Sequence, residues 1–87
     1  MQIASIGKVE AKAYFEQHSA YRGEFDIAIA AKSEDGAVHG VIAMTAPGGE
    51  TSRLGHISTD GNAQVGSLLY GAAWRAAKAL GYKFIEI

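Results

Sequence analysis

The chain has 87 residues, 48% of them hydrophobic, and a formal net charge of −1, so we expect one folded domain over residues 1–87. Its eight Lys and Arg residues form no basic run, which argues against direct nucleic-acid binding, and the lack of cysteine excludes disulfides and thiolate metal sites. The sequence contains neither an apolar run long enough to cross a membrane nor a secretory signal, so we expect a cytoplasmic protein.

The first part of the chain predicts a short strand and a helix. Residues 1–6 have the composition of a strand, and residues 9–18 place apolar residues at helical spacing. We expect the inner face of this helix to carry Val9, Ala13, Tyr14 and Phe15.

The next part predicts a β-hairpin. Apolar residues alternate over residues 25–32, which is the period of a half-buried strand. The turn Ser33-Glu34-Asp35-Gly36 follows, because its glycine can adopt positive φ and its aspartate can hydrogen-bond the local backbone. Residues 38–44 return as the second arm, and Pro47-Gly48-Gly49 ends it.

The second half predicts a strand, a helix and a strand. Residues 53–58 form the third strand, residues 67–80 the helix, and residues 83–87 a last strand that should run parallel to the one before the helix. Gly81 suits the position that ends the helix. Apolar residues form two rows on this helix: Leu68, Ala72, Ala76 and Leu80, and beside them Leu69, Ala73 and Ala77. The fold class is therefore α/β (α+β), an antiparallel hairpin sheet extended by a strand-helix-strand unit.

The loop before the long helix contains candidate anion-binding residues. N–H groups in the first turn of a helix lack intrahelical partners, and the helix dipole favours negative charge there. The alternative is an ordinary strand-to-helix turn, in which Asn62 or Ser67 caps the helix. The candidate residues are Gly61, Asn62, Gln64, Val65, Gly66 and Ser67.

The histidines are candidates for chemistry. His18, His39 and His56 fall on three different predicted elements, so we expect no metal site. His56 precedes the glycine loop, where a general base can face a bound amine; the alternative is a strand histidine with a structural role. Glu50 and Asp26 are alternative bases.

The long helix also carries a candidate protein interface. Tyr70 and Trp74 are one turn apart, and Arg75 and Lys78 share the outer side of the helix. Tyr, Trp and Arg dominate interface hot spots, although the aromatic rings can instead cover the edge of a thin core. An uncovered last strand over residues 83–87 favours pairing with another chain, of which a homodimer is the simplest case.

The order helix, hairpin, strand, glycine loop, helix, strand resembles the first two thirds of the GNAT fold of N-acetyltransferases. The stretch RLGHISTDGNAQVGSLLYGAAWRAAKALGY, from Arg53, is similar to a small GNAT-like family of phages, plasmids and bacterial genomes. The upstream strand of that family, GVI, corresponds to Gly40-Val41-Ile42. Gln64 stands where GNAT enzymes have the first glycine of the coenzyme A loop. The resemblance covers residues 9–87 and implies a GNAT-like partial fold cut after its fifth strand.

The resemblance implies one of two functions. The first is a non-catalytic GNAT-derived interaction protein of a phage or mobile element, which binds and inhibits a host protein complex such as a CRISPR-Cas defence complex. The alternative is an acyl-CoA-dependent N-acetyltransferase, completed by dimerisation. In that alternative the N–H groups of residues 64–67 hold the pyrophosphate of acetyl-CoA, the thioester lies between the strand of His56 and residues 83–87, and His56 or Glu50 deprotonates the amine.

Overall fold

The computed structural model describes residues 1–19, 23–45, 51–61 and 63–86, with side chains except at residues 51, 52, 63 and 84–86. The elements are β1 (Gln2–Ser5), α1 (Lys8–His18), β2 (Ile27–Lys32), β3 (Val38–Thr45), β4 (Thr51–Thr59), α2 (Ala63–Ala79) and β5 (Phe84–Glu86). This small α+β fold agrees with the predicted fold class, and the predicted break at residues 47–49 lies outside the described residues.

The five strands form one sheet in the order of the chain, β1-β2-β3-β4-β5. The first four are antiparallel, and β5 runs parallel to β4, as predicted, with Thr51 opposite Phe84 and Arg53 opposite Glu86. The hairpin turn is also confirmed: Gly36 has φ +86° and its N–H donates to the carbonyl oxygen of Ser33 at 2.9 Å. β2 begins two residues later than predicted, at Ile27.

The two helices cover opposite faces of this sheet. Successive strand residues point to opposite faces, and the buried residues divide accordingly into two clusters. The α2 face comprises Ile29, Ala31, Ile42, Met44, Val65, Leu69, Ala72, Ala73 and Ala77. The α1 face comprises Ala11, Tyr14, Phe15, Phe25, Ala28, Ala30, Val41 and Ala43. The prediction that β2 is half-buried is therefore wrong, because Ala28 and Ala30 are covered by α1.

α1 turns a different face inward from the one predicted. Ala11, Tyr14 and Phe15 are buried, whereas Val9 is 85% exposed and Ala13 is also exposed. Residues two apart on a helix lie about 200° apart around its axis. Once Phe15 and Ala11 face the sheet, Ala13 and Val9 must therefore face solvent.

α2 begins four residues earlier than predicted, at Ala63, and its buried stripe also begins one turn earlier, at Val65. Val65 extends the row of Leu69 and Ala73 by one turn, and this row lies against the sheet. Leu68 and Leu80, at the ends of the other predicted row, are 41% and 60% exposed.

The end of α2 matches the prediction at Gly81. This glycine has φ +93°, its N–H donates to the carbonyl oxygen of Lys78 at 3.1 Å, and that of Tyr82 donates to Ala77 at 2.9 Å. These two bonds are the Schellman arrangement, which needs a left-handed residue after the helix. Tyr82 then packs against the α2 face.

The closest approach of helix and sheet is at Gly40 on β3. A Cβ atom there would lie 2.6 Å from Cγ1 of Val65, 2.9 Å from Cδ1 of Leu69 and 3.2 Å from the carbonyl oxygen of Ser58. Real Cβ contacts are almost never this short, so any other residue at position 40 would have to displace the side chains of Val65 and Leu69.

Candidate functional site

His56 lies at an irregularity of β4 on the α1 face. Ala43 pairs with His56 and Met44 pairs with Leu54, so Gly55 is an extra residue and β4 has a bulge. Bulges redirect side chains and are common beside active sites.

The ring of His56 is held from two sides. Its Nε2 is 3.0 Å from the hydroxyl oxygen of Ser19, which follows α1, and its edge meets Phe15 at 5.2 Å between ring centroids. Burial lowers the pKa of His56 below its ordinary value of 6.5. At neutral pH the ring is therefore uncharged and can accept a proton.

The other two predicted bases are Glu50 and Asp26. Glu50 lies outside the described residues. Asp26 is exposed at the start of β2, two strands from His56, and its N–H donates to the carbonyl oxygen of Met44 at 2.9 Å. The sheet therefore does not place Asp26 on the strand that carries the histidine.

Among the described residues, β5 pairs with the first part of β4. The described pairing joins residues 51–53 of β4 to Phe84–Glu86. His56 lies on β4, three residues beyond Arg53.

The predicted anion-binding residues divide between a short loop and the helix. Gly61 has φ +103°, and its N–H donates to the hydroxyl oxygen of Thr59 at 3.3 Å; Asn62 lies outside the described residues. α2 already includes Gln64, Val65, Gly66 and Ser67. The prediction that Ser67 caps the helix is wrong, because Ser67 is the fifth helical residue.

The early start of α2 also changes which N–H groups can meet an anion. The N–H groups that have no partner within the helix belong to the first turn, which includes Gln64 and Val65. The N–H of Ser67 falls in the regular i to i−4 pattern instead. The side chain of Val65 is fully buried, whereas Gln64 and Ser67 are exposed.

The four predicted interface residues are all on the exposed side of α2. Tyr70 and Trp74 are 45% and 44% exposed, and Arg75 and Lys78 are also exposed. The described residues that border the α2-face core are Ile27, Leu54, Ile57, Ala76 and Tyr82. Both the interface and the alternative, in which the aromatic rings cover the edge of the core, stay predictions.

A shallow groove along another stripe of α2 was not predicted. It has a volume of about 400 Å³ and is lined by Gln64, Ser67, Leu68, Gly71 and Arg75. Gly71 has no side chain to fill this groove. The Arg75 guanidinium lies 3.4 Å from the position that a Cβ of Gly71 would take. Leu68, assigned to the core from its spacing, is part of this outer surface.

A second polar cluster, also not predicted, joins three chain segments. Nδ1 of His39 is 2.6 Å from a carboxylate oxygen of Asp60, and Nε2 is 3.1 Å from the hydroxyl oxygen of Ser33. The Ser33 hydroxyl also donates to Asp35, and this bond and the Ala37 N–H hold the pKa of the Asp35 carboxyl below its usual range. The sequence does not show this cluster, because it depends on the register of β3 and β4, which sets Gly40 opposite Thr59.

Two classes of site are not found among the described residues. In the described ranges no three His, Asp or Glu side chains are grouped so that they could hold a metal ion. Neither of the described helices is both long and apolar enough to cross a membrane.

No protein-family model, no curated protein and no solved structure matches this chain. The GNAT-like family therefore remains a prediction from the sequence motifs. The surfaces described above are the basis for a proposed function.

Proposed function

We propose that the chain is a non-catalytic interaction protein that binds a protein partner through the outer face of α2. This face consists of Tyr70, Trp74, Arg75 and Lys78. The observation that carries the proposal is the exposure of Tyr70 and Trp74, at 45% and 44%, one turn apart on a 17-residue helix.

The core of this chain is small. Burying a large apolar side chain stabilises a fold by about 1.5–3 kcal/mol, and a chain of this length has few such residues. Leaving Leu68, Tyr70 and Trp74 between 41% and 45% exposed forgoes part of this stabilisation. Binding a partner recovers it, and Tyr and Trp with a nearby Arg are the side chains most often responsible for interface affinity.

The charge of the face indicates the chemistry of the partner. α2 contains Arg75 and Lys78 but no Asp or Glu. Its outer face is thus aromatic and cationic, although the chain as a whole has a net charge of −1. A protein surface with carboxylates around an apolar depression complements this face, and charge complementarity would also accelerate association.

The sequence resemblance extends the proposal to a class of partner. Similarity to a GNAT-like family of phages and mobile elements supports a bacterial host complex as the target, with a CRISPR-Cas defence complex as the leading case. Binding would then inhibit that complex by covering a functional surface. A second copy of this chain is the competing occupant of the face.

The test begins with a tagged full chain and a bacterial lysate, from which a stoichiometric partner is identified and purified. Calorimetry then compares wild type with Trp74→Ala and Tyr70→Ala. We expect each change to cost about 2 kcal/mol of binding, which is about a 30-fold rise in Kd. Val9→Ala is the matched control, because Val9 is an exposed apolar residue on α1 and should leave Kd unchanged.

Two outcomes would contradict this proposal. Wild-type affinity in both aromatic variants would mean that the partner binds elsewhere. Sedimentation showing a dimer that Trp74→Ala dissociates would assign the face to self-association.

The acyl-CoA-dependent N-acetyltransferase remains a second candidate because of His56. A neutral imidazole at a strand bulge, one short loop before a helix N-terminus, has the location of a general base near a bound phosphate. Catalysis would consist of orienting the amine against the thioester and stabilising the oxyanion.

Thermal unfolding with acetyl-CoA and free coenzyme A tests this candidate. Ligand at about 100 times its Kd stabilises by about 2.7 kcal/mol, which is about 10–20 °C in a domain of this size. Gly66→Glu should abolish the shift without harming the fold, since a Cβ at Gly66 meets no atom within 4 Å, and Gly66→Ala is its uncharged control. No shift at millimolar ligand would exclude coenzyme binding.

A further inference from the structure

We propose that Ser33, His39 and Asp60 form a nucleophilic site that hydrolyses small activated esters. This site is separate from the outer face of α2 and from His56. The distances follow the order carboxylate, imidazole, hydroxyl: 2.6 Å from Asp60 to Nδ1 and 3.1 Å from Nε2 to the oxygen of Ser33. Such a site is recognised by this geometry on any fold, whatever the order of the residues in the chain.

Each residue has a defined role. The Asp60 carboxylate accepts the Nδ1 proton of His39, which leaves the lone pair of Nε2 directed at the hydroxyl of Ser33. Ser33 is the nucleophile and His39 the general base, while Asp60 is a positioning residue that fixes the tautomer and orientation of the ring.

The backbone holds the three side chains in place. The Ser33 N–H donates to the carbonyl oxygen of Ala37 at 3.0 Å, which closes the β2–β3 turn. The Asp60 N–H donates to the carbonyl oxygen of His39 at 2.9 Å, which fixes the end of β4 against the start of β3. The residues are therefore brought together by strand pairing and not by one mobile loop.

Asp35 competes for the hydroxyl hydrogen of Ser33. A serine hydroxyl carries one hydrogen, and here both a carboxylate oxygen of Asp35 and Nε2 of His39 are within reach. Asp35 also accepts the N–H of Ala37 at 3.1 Å. The carboxylate thus holds the hydroxyl oxygen beside His39, and reaction requires the hydrogen to turn toward Nε2.

The reaction balances with an ester and water alone. The Ser33 oxygen forms a bond to the carbonyl carbon while its proton passes to Nε2 of His39. The bond from that carbon to the leaving oxygen breaks, and the leaving oxygen takes the proton from Nε2. Water then attacks the acyl-serine, gives its proton to Nε2, and the departing Ser33 oxygen takes that proton back.

The surroundings of Ser33 select the substrate class. A shallow depression of about 450 Å³ beside it is lined by Met1, Ser33, Glu34 and Asp35. Its two carboxylates repel anions, so neutral and cationic esters fit better than anionic ones. The His39 and Asp60 side chains are 31% and 34% exposed, so an ester and water reach the cluster from solvent.

Kinetics on the full chain test the site. With p-nitrophenyl acetate as substrate, we expect Ser33→Ala and His39→Ala to lower kcat/KM by about 100-fold, the size of a general acid–base contribution. Asp60→Asn should lower kcat and leave KM unchanged. Ser5→Ala and His18→Ala, each at an exposed residue of the same type away from the cluster, are the controls and should keep the wild-type rate. A cationic p-nitrophenyl ester should be turned over and the anionic p-nitrophenyl hemisuccinate should be the poorest substrate.

A thiol provides a second measurement that does not depend on the alanine variants folding. The chain has no cysteine, so Ser33→Cys introduces a single thiol. Iodoacetamide should alkylate this thiol at least about 10-fold faster than the thiol of Ser5→Cys, because His39 favours the thiolate. Adding His39→Ala should remove the difference.

Two results would overturn the site. One is a Ser33→Ala protein that melts at a lower temperature but hydrolyses the ester at the wild-type rate; the cluster would then only fasten the hairpin to the end of β4. The other is equal alkylation of the thiols at positions 33 and 5.

Discussion

The two faces of the sheet are packed by different means. On the α2 face the buried members of the described core include no aromatic residue, and alanines and Gly40 allow the helix to lie directly on β3. On the α1 face two aromatic residues of α1, Tyr14 and Phe15, fill the space between helix and sheet. The same face holds His56, while the Tyr14 hydroxyl is buried without a hydrogen-bond partner among the described residues.

The difference decides which kinds of side chain each face can accommodate. A helix held close by small residues leaves no volume for a polar group, whereas the larger rings on the α1 side leave a groove of about 330 Å³. This groove is lined by Ile6, Glu10, Ala13, Tyr14, Gln17, His18 and Val38. We expect changes on the α2 face to act through steric fit, and changes on the α1 face to act through aromatic packing and polar groups.

The largest effect is expected on the α1 face, at Phe15. Phe15 is fully buried and meets Phe25 edge to face at 6.0 Å and His56 at 5.2 Å between ring centroids. Phe15→Ala should lower the free energy of unfolding by about 3–5 kcal/mol, measured by urea denaturation. Phe15→Leu keeps most of the volume and should cost about 1–2 kcal/mol. A loss below about 1 kcal/mol in Phe15→Ala would show that α1 contributes little to stability.

The corresponding effect on the α2 face is at Gly40, where adding one carbon is enough. Gly40→Ala should destabilise by about 2–3 kcal/mol, because the new Cβ overlaps Val65 and Leu69. Thermal melts should show a fall of about 10–20 °C.

Two further variants sharpen the test at Gly40. Val65→Ala removes the atom that a Cβ at Gly40 would meet at 2.6 Å, so the double variant should lose less than the sum of the two single losses. Gly66→Ala is the opposite case: its Cβ has open space and the helix favours alanine, so it should stabilise by about 0.5–1 kcal/mol. Additive losses in the double variant would mean that the close contact is not the cause.

Tyr14→Phe should change stability in the favourable direction. Burial, and then the Asp60 carboxylate, raise the pKa of Tyr14 above its ordinary value, and the hydroxyl forms no hydrogen bond with the described residues. Removing an unpaired buried polar atom should stabilise by about 1 kcal/mol in urea denaturation. Tyr70→Phe, at an exposed ring, should stay within about 0.5 kcal/mol of wild type. A loss of stability in Tyr14→Phe would show that the hydroxyl has a partner.

The smallest effect is the pH dependence due to His56. Burial lowers the pKa of His56, so below its ordinary value of 6.5 the unfolded chain takes up this proton before the folded protein does. His56 therefore contributes a loss of stability as pH falls through about 6.5, and this loss ends once pH is below the folded pKa. Urea denaturation from about pH 7.5 to 5 should give a flatter profile for His56→Gln than for wild type. Parallel profiles would contradict the assignment.

Much of the fold could be predicted because its signals are local. Gly36 marks the hairpin turn and Gly81 the end of α2, and both positions have positive φ. Alternation within about six residues identifies the hairpin strands. The inward face of α1 could not be read from its sequence, since Val9 and Ala13 are as apolar as the buried Ala11. Likewise, Ala28 and Ala30 suit an exposed or a covered face equally, and only the position of α1 decides between them.

The sites divide in the same way. The exposed aromatic and cationic residues of α2 follow from helical spacing alone, and so does their common side. The cluster at His39 depends on a non-local register, because Asp60 is 21 residues away in sequence. A single sequence holds no direct signal for which residue of β4 lies opposite a given residue of β3.

The strand order gives the chain a simple assembly route. β2, β3 and β4 follow one another as a meander, so the centre of the sheet can form from contacts that are near in sequence, which speeds folding. Each outer strand is separated from this centre by one helix, α1 for β1 and α2 for β5. During synthesis β1 and α1 leave the ribosome before β2, their neighbour in the sheet, is made, whereas α2 and β5 follow β2, β3 and β4. The segment that covers the α1 face is therefore made before the strands on which it packs, and the segment that covers the α2 face is made after them.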